Sequence, residues 1–182
     1  MPIQMKVKDI MVPIGEYAVT RIDKTLKEAI PELMRLYCQA EFGKCTEAGH
    51  RTSLVLDTKG ELVGILDFKS ILEVLIPEIA GGISGKMQTL GISIAFAEAD
   101  AHDMDQSKQG FRSRVRQNSQ TQVKDVMLKV RGTIEADAGF LDALKMIYRN
   151  KITVLPVFEG KKLVGVLRDS DLFLIAANVL ME

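Results

Sequence analysis

A glycine set among apolar residues runs into four polar ones at Leu163-Val164-Gly165-Val166-Leu167-Arg168-Asp169-Ser170-Asp171, and an apolar helical pattern follows at Leu172, Phe173, Ile175 and Ala176. A strand that stops at small and charged residues and turns into a helix presents free backbone N–H groups, a common place to hold an anion. The chain contains this stretch twice. The other copy is Leu62-Val63-Gly64-Ile65-Leu66-Asp67-Phe68-Lys69-Ser70, again followed by apolar residues at Ile71, Leu72 and Leu75.

Other chemistry is less well supported. Gly81-Gly82-Ile83-Ser84-Gly85-Lys86-Met87 resembles a phosphate loop, but the Walker A spacing needs Gly in place of Ala80 and Ser or Thr in place of Met87. A flexible linker is the better reading. Asp103 and Asp105 lack the glycine of a calcium loop, and Arg114 stands where the last ligand should be. Cys38, Cys45 and His50 have no zinc-knuckle spacing and no fourth ligand nearby. His50 and His102 are the only histidines, and nothing in their context suggests a nucleophile–base set. The basic run from Lys108 to Arg116 has only Phe111 as an interleaved aromatic, which argues against nucleic-acid binding.

Composition sets the outer bounds. The chain has 182 residues, enough for one good core or two small ones. Lys+Arg and Asp+Glu both number 24, so no long-range field favours nucleic acid or an anionic membrane. No apolar run approaches ~18 residues, and the N-terminus has no signal-peptide core. Two cysteines make no disulfide framework, so a cytoplasmic, reducing location is expected.

The elements that must position the anion-binding turns are themselves duplicated. Val7-Lys8-Asp9-Ile10-Met11 recurs as Val123-Lys124-Asp125-Val126-Met127. Asp23, Leu26, Ala29 and Ile30 recur as Asp137, Phe140, Ala143 and Leu144, and Leu54 to Leu66 as Leu155 to Leu167. Three anchors in the same order define two halves. In the first, β-branched Tyr17 to Ile22 predicts a strand, and the spacing of Leu26, Ile30, Leu33, Met34 and Tyr37 predicts a helix capped by Asp23 or Thr25. Pro31 falls inside that helix, where distortion is expected. Strands at Ser53–Leu56 and Leu62–Leu66 flank the turn Asp57-Thr58-Lys59-Gly60, and a helix from Phe68 to Ile76 stops before Pro77. In the second half the same order gives a strand at Thr133–Ala136, a helix at Phe140–Asn150, a hairpin of Val154–Phe158 and Lys162–Leu167, and a last helix capped by Asp169 or Ser170. Residues 1–77 are read as the first repeat, 78–122 as an insertion and 123–182 as the second repeat. The insertion is expected to be helical in its apolar part (Leu90 to Phe96) and mobile in its acidic, basic and polar part.

These motifs resemble those of a tandem pair of cystathionine-β-synthase domains, or CBS domains, of the free-standing bacterial type with an insertion between the repeats. The resemblance rests on the V-K-D-I-M and V-K-D-V-M segments, the D-x-x-[LF]-x-x-A-[IL] helix starts, the Leu155-Pro156-Val157 strand and the L-V-G-[IV]-L strands. It covers about two thirds of the chain and leaves the insertion uncovered. It implies an α+β fold of two β-α-β-β-α repeats packed through their sheets as a pseudo-twofold pair, a homodimer, and no catalysis.

The resemblance further implies a cleft that binds an adenosine compound: AMP, ADP, ATP or S-adenosylmethionine. The family's ligand motif is a glycine, two apolar residues, a Ser or Thr that faces phosphate, two further residues, and an Asp that binds the ribose hydroxyls. Gly165, Arg168 and Asp171 occupy those places in the second repeat, where Arg168 can pair bidentately with phosphate. In the first repeat Asp67 and Ser70 stand at the hydroxyl and ribose positions, so the second cleft is the better candidate. Ile152, Thr153 and Val154 are expected to frame the base. The alternative is that Asp171 caps its helix, that Arg168 pairs with Asp169 or Asp171, and that the chain is a dimerisation or partner-docking module for an unidentified protein with no small ligand. A third reading, an enzyme acting on a nucleotide, lacks a general base or metal set.

Overall fold

The computed structural model describes residues 4–37, 51–77 and 101–178, the side chains of 36–37 and 101–109 excepted. The expectations for Cys38 to His50, for the glycine-rich segment and for the apolar patch at Leu90 to Phe96 fall outside the described residues.

The expected element order is present in both repeats. The first contains β1 (Val12–Pro13), β2 (Val19–Arg21), α1 (Leu26–Tyr37), β3 (Thr52–Leu56), β4 (Leu62–Asp67) and α2 (Phe68–Leu75). After α3 (Ala101–Asn118), the second contains α4 (Val123–Val126), β5 (Ile134–Glu135), α5 (Phe140–Asn150), β6 (Val154–Glu159), β7 (Lys162–Arg168) and α6 (Asp169–Asn178). One sheet runs β2-β3-β4 and the other β1-β7-β6-β5. In each, the short first strand is parallel to the next and the hairpin is antiparallel. The register shifts fall at matching places, Val55/Leu56 and Val157/Phe158.

Local rules explain most of the helix ends. Glu28 reaches back to accept from the backbone N–H of Thr25 at 2.8 Å, the reciprocal half of a capping box. Asp23, the other candidate cap, pairs instead with Arg21. Helix α1 continues through Pro31, because Leu26, Ala29 and Leu33 bury one face while the proline sits on the exposed one. The polar part of the insertion is a correction: residues 101–118 form a helix where mobility was expected. Basic Arg116 in its last turn suits the helix dipole. Its C-terminal end is fixed by Asn118, whose Nδ2 donates to the Leu75 carbonyl at 3.3 Å.

The two repeats exchange their leading segments. Val7, fully buried, packs with Ile134, Phe140, Leu155 and Leu167 of the second repeat. Its N–H donates to the Ala138 carbonyl at 2.9 Å, and the Phe140 N–H donates to Met5 at 3.0 Å. Asp137 holds both Lys6, at 3.0 Å, and Lys8, at 2.8 Å. Reciprocally, Val123 and Val126 pack with Leu26, Leu33, Val55 and Leu66 of the first repeat. A third core lies between the sheets, where Tyr17, Leu54 and Ile65 meet Val154 and Val166. The α+β fold with repeats packed through their sheets is therefore as expected.

Two glycines make this exchange sterically feasible. A Cβ on Gly165 would lie 2.6 Å from the Val12 carbonyl oxygen, where β1 crosses β7. A Cβ on Gly64 would lie 2.5 Å from the Met127 sulfur, where residues 127–128 cross β4.

Candidate functional site

Two clefts lie between the repeats, and each is walled by both. The first, about 410 Å³, is lined by Thr52, Ile65, Asp67, Lys69, Ser70 and Glu73 of the first repeat and by Leu128, Lys129, Arg131 and Lys151 to Val154 of the second. The second, about 490 Å³, is lined by Tyr17, Arg51 and Thr52 of the first repeat and by Thr153, Val154, Arg168 to Ser170, Phe173 and Leu174 of the second. Thr52, Thr153 and Val154 wall both.

The candidate residues thus divide between the clefts. Arg168 lines the second, Ser70 and Ile152 line the first, and Thr153 and Val154 serve both. Gly165 is buried beneath Val12 and Met11 and belongs to neither wall. Asp171 is turned to Arg168. Its Oδ2 accepts from the Arg168 backbone N–H at 3.0 Å and from Nε at 2.9 Å, and its Oδ1 accepts from Nε at 3.1 Å and from the Nη2 group. This contact, with the two side chains 19% and 13% exposed, raises the Arg168 pKa above its ordinary value. Asp171, rather than Asp169 or Ser170, is therefore the side chain that reaches back over the start of α6.

The same two positions also satisfy each other in the first repeat. Asp67 caps α2 by accepting from the Ser70 N–H at 2.8 Å, and the Ser70 hydroxyl donates to the same carboxylate. Both ligand-motif positions are thus joined by a local bond in each copy, through a Ser–Asp pair in one and an Arg–Asp pair in the other.

Tyr17 was not expected at a site. It is 3% exposed, its hydroxyl bonds to Thr52 Oγ1, and burial pushes its phenol up to about 12. Arg51, Lys129, Arg131 and Lys151 were also missed. Arg51 immediately precedes Thr52-Ser53-Leu54 as Ile152 precedes Thr153-Val154-Leu155, so strict use of the repeat would have found it. Among the described residues no group of three or more His, Cys, Asp or Glu could hold a metal ion, and no helix is long and apolar enough to cross a membrane.

Comparison with solved structures returns the same architecture. The CBS domain of a CBS domain containing membrane protein from Sphaerobacter thermophilus is 17% identical with a TM-score of 0.64, over 96% of this chain and 89% of that one. A putative acetoin utilization protein from Vibrio cholerae is 20% identical with a TM-score of 0.58, over 98% and 94%. CBSX2, solved in complex with AMP, is 16% identical with a TM-score of 0.58, over 96% and 97%. No curated protein matches the sequence. The family model of the CBS domain matches residues 7–77 and 123–178, and the chain belongs to the CBS-domain family as a tandem pair.

Proposed function

We propose that this CBS pair is a regulatory module that binds an adenosine nucleotide (AMP, ADP or ATP) in the second cleft and passes on a change in the arrangement of its repeats. The observation that carries the reading is the composition of that cleft. Phe173 and Leu174 offer apolar surface for a base, Arg51 and Arg168 offer two guanidinium groups for phosphate, and the residues come from both repeats. Binding requires an exchange of partners. Arg168 leaves Asp171 for the phosphate, and the freed carboxylate accepts the ribose hydroxyls. A ligand that prefers one arrangement of the walls shifts the population towards it. The AMP bound by CBSX2 supports an adenosine ligand in this family.

Calorimetric titration with AMP, ADP, ATP and S-adenosylmethionine, with and without magnesium, tests this. Saturable binding of one compound, lost in Asp171→Ala, is the expected result. No binding by any of them on a folded sample refutes it.

A second reading, a homodimer or docking platform for a protein target, is favoured by the helices. They leave Met34, Leu72, Leu141, Leu144, Tyr148, Phe173 and Leu174 between 42% and 84% exposed. Sedimentation of the intact protein tests it: a concentration-independent monomer removes the homodimer.

A further inference from the structure

The two clefts are chemically unlike. Where Pro13 and Gly15 stand in the first copy of the leading segment, the second copy has Lys129 and Arg131. Both line the first cleft, together with Lys69 and Lys151. They are held over it because Leu128 is stitched to β4, its N–H donating to the Ile65 carbonyl at 2.8 Å and its carbonyl accepting from Ile65 at 2.9 Å. The two carboxylates of this cleft are engaged locally. Asp67 caps α2, and Glu73 lies 3.8 Å from Lys69. The side chains of Lys129, Arg131 and Lys151 have no hydrogen bond or ion pair among the described residues. Three unanswered cations therefore share one concave surface, and like charges left together favour a multiply charged anion.

Lys151 adds an independent sign. It ends α5 in the left-handed region, at φ 50° and ψ 50°, and is the one non-glycine residue with positive φ among the described residues. The Ile152 N–H donates to the Ile147 carbonyl at 3.2 Å and the Lys151 N–H to Tyr148 at 3.3 Å, a helix ending that favours glycine at this position. A lysine there keeps a charge at the cleft at the expense of backbone strain. The ribose position of this cleft, by contrast, carries only the Ser70 hydroxyl, already committed to Asp67.

We propose that the first cleft is a separate site for a linear di- or triphosphate anion, held by Lys129, Arg131 and Lys151 without need of a nucleoside. The site stands whether or not the second cleft binds a nucleotide. The test is titration of the full chain with tripolyphosphate, with AMP and adenosine run in parallel. Tripolyphosphate is expected to bind saturably, adenosine not to displace it, and Lys129→Ala with Arg131→Ala to weaken it by about tenfold or more. Lys151→Gly is expected to weaken it too while raising the melting temperature, because glycine relieves the strain; weaker binding with greater stability separates ligand loss from misfolding. Failure of tripolyphosphate to bind, unchanged affinity in these variants, or displacement by adenosine overturns the proposal. AMP binding in the double variant reports separately on the second cleft, so the two readings fail independently.

Discussion

Asp171 accepts from both the backbone N–H and the guanidinium of Arg168, so one carboxylate starts helix α6 and holds the principal cation of the second cleft. The pair is mostly shielded from water, and loss of either member removes a charge-assisted contact from the other in a partly buried place. Arg168→Ala is expected to destabilise the fold by about 1–3 kcal/mol. Asp171→Ala should do the same and also remove the helix cap. Denaturant unfolding of the single and double variants measures the coupling. Nucleotide affinity should fall in both, since in the proposed complex Arg168 holds the phosphate and Asp171 the ribose.

The corresponding carboxylate of the first repeat has a simpler role. Asp67→Ala removes the cap of α2 and is expected to cost about 1 kcal/mol. Nucleotide binding in the second cleft should be unchanged. Paired urea unfolding and AMP titration check both halves of that expectation.

The crossing glycines should differ in tolerance. An added methyl at Gly165 meets the Val12 backbone oxygen at 2.6 Å, whereas at Gly64 the nearest atom is the Met127 sulfur at 2.5 Å, on a side chain that can turn away. Gly165→Ala should cost more than Gly64→Ala, with the larger loss about 1–3 kcal/mol. Thermal unfolding of the two variants ranks them.

Tyr17 gives the fold an alkaline limit. Its phenol rises from 10.0 to about 12 in the folded chain because burial disfavours the phenolate. The neutral form is thus favoured by folding. That stability is fully present below pH 10, where both states hold the proton, and is lost as pH rises through about 12. Tyr17→Phe should flatten the dependence in this window, although it forfeits the bond to Thr52. Unfolding free energies measured across the window in both proteins test it.

Much of the fold was legible because it was written twice. The α5 boundaries Phe140 and Asn150 followed from an uninterrupted apolar period, and the hairpins from turn residues between β-branched runs. Pro31 was misleading because its penalty is local, whereas the burial of Leu26, Ala29 and Leu33 that outweighs it is tertiary. The site was legible only in part. A motif shows which turn can meet an anion, but not which strand start faces it. Ile152 belongs to the Arg168 repeat yet lines the cleft of Ser70, because that cleft is walled by both repeats. Lys129 and Arg131 belong to no motif, and tertiary bonds bring them to the cleft, between Leu128 and Ile65 and between Asn150 and the Arg131 carbonyl.

The traded segments at Val7 and Val123 make the halves interlocked fragments. A chain nicked by protease between residues 78 and 100 would hold together while native, since each piece carries a plug for the other's interior. Once denatured, it would have to refold by a bimolecular reaction. Its recovery would rise with concentration, whereas the intact chain, with the tether uncut, would recover at a rate independent of it.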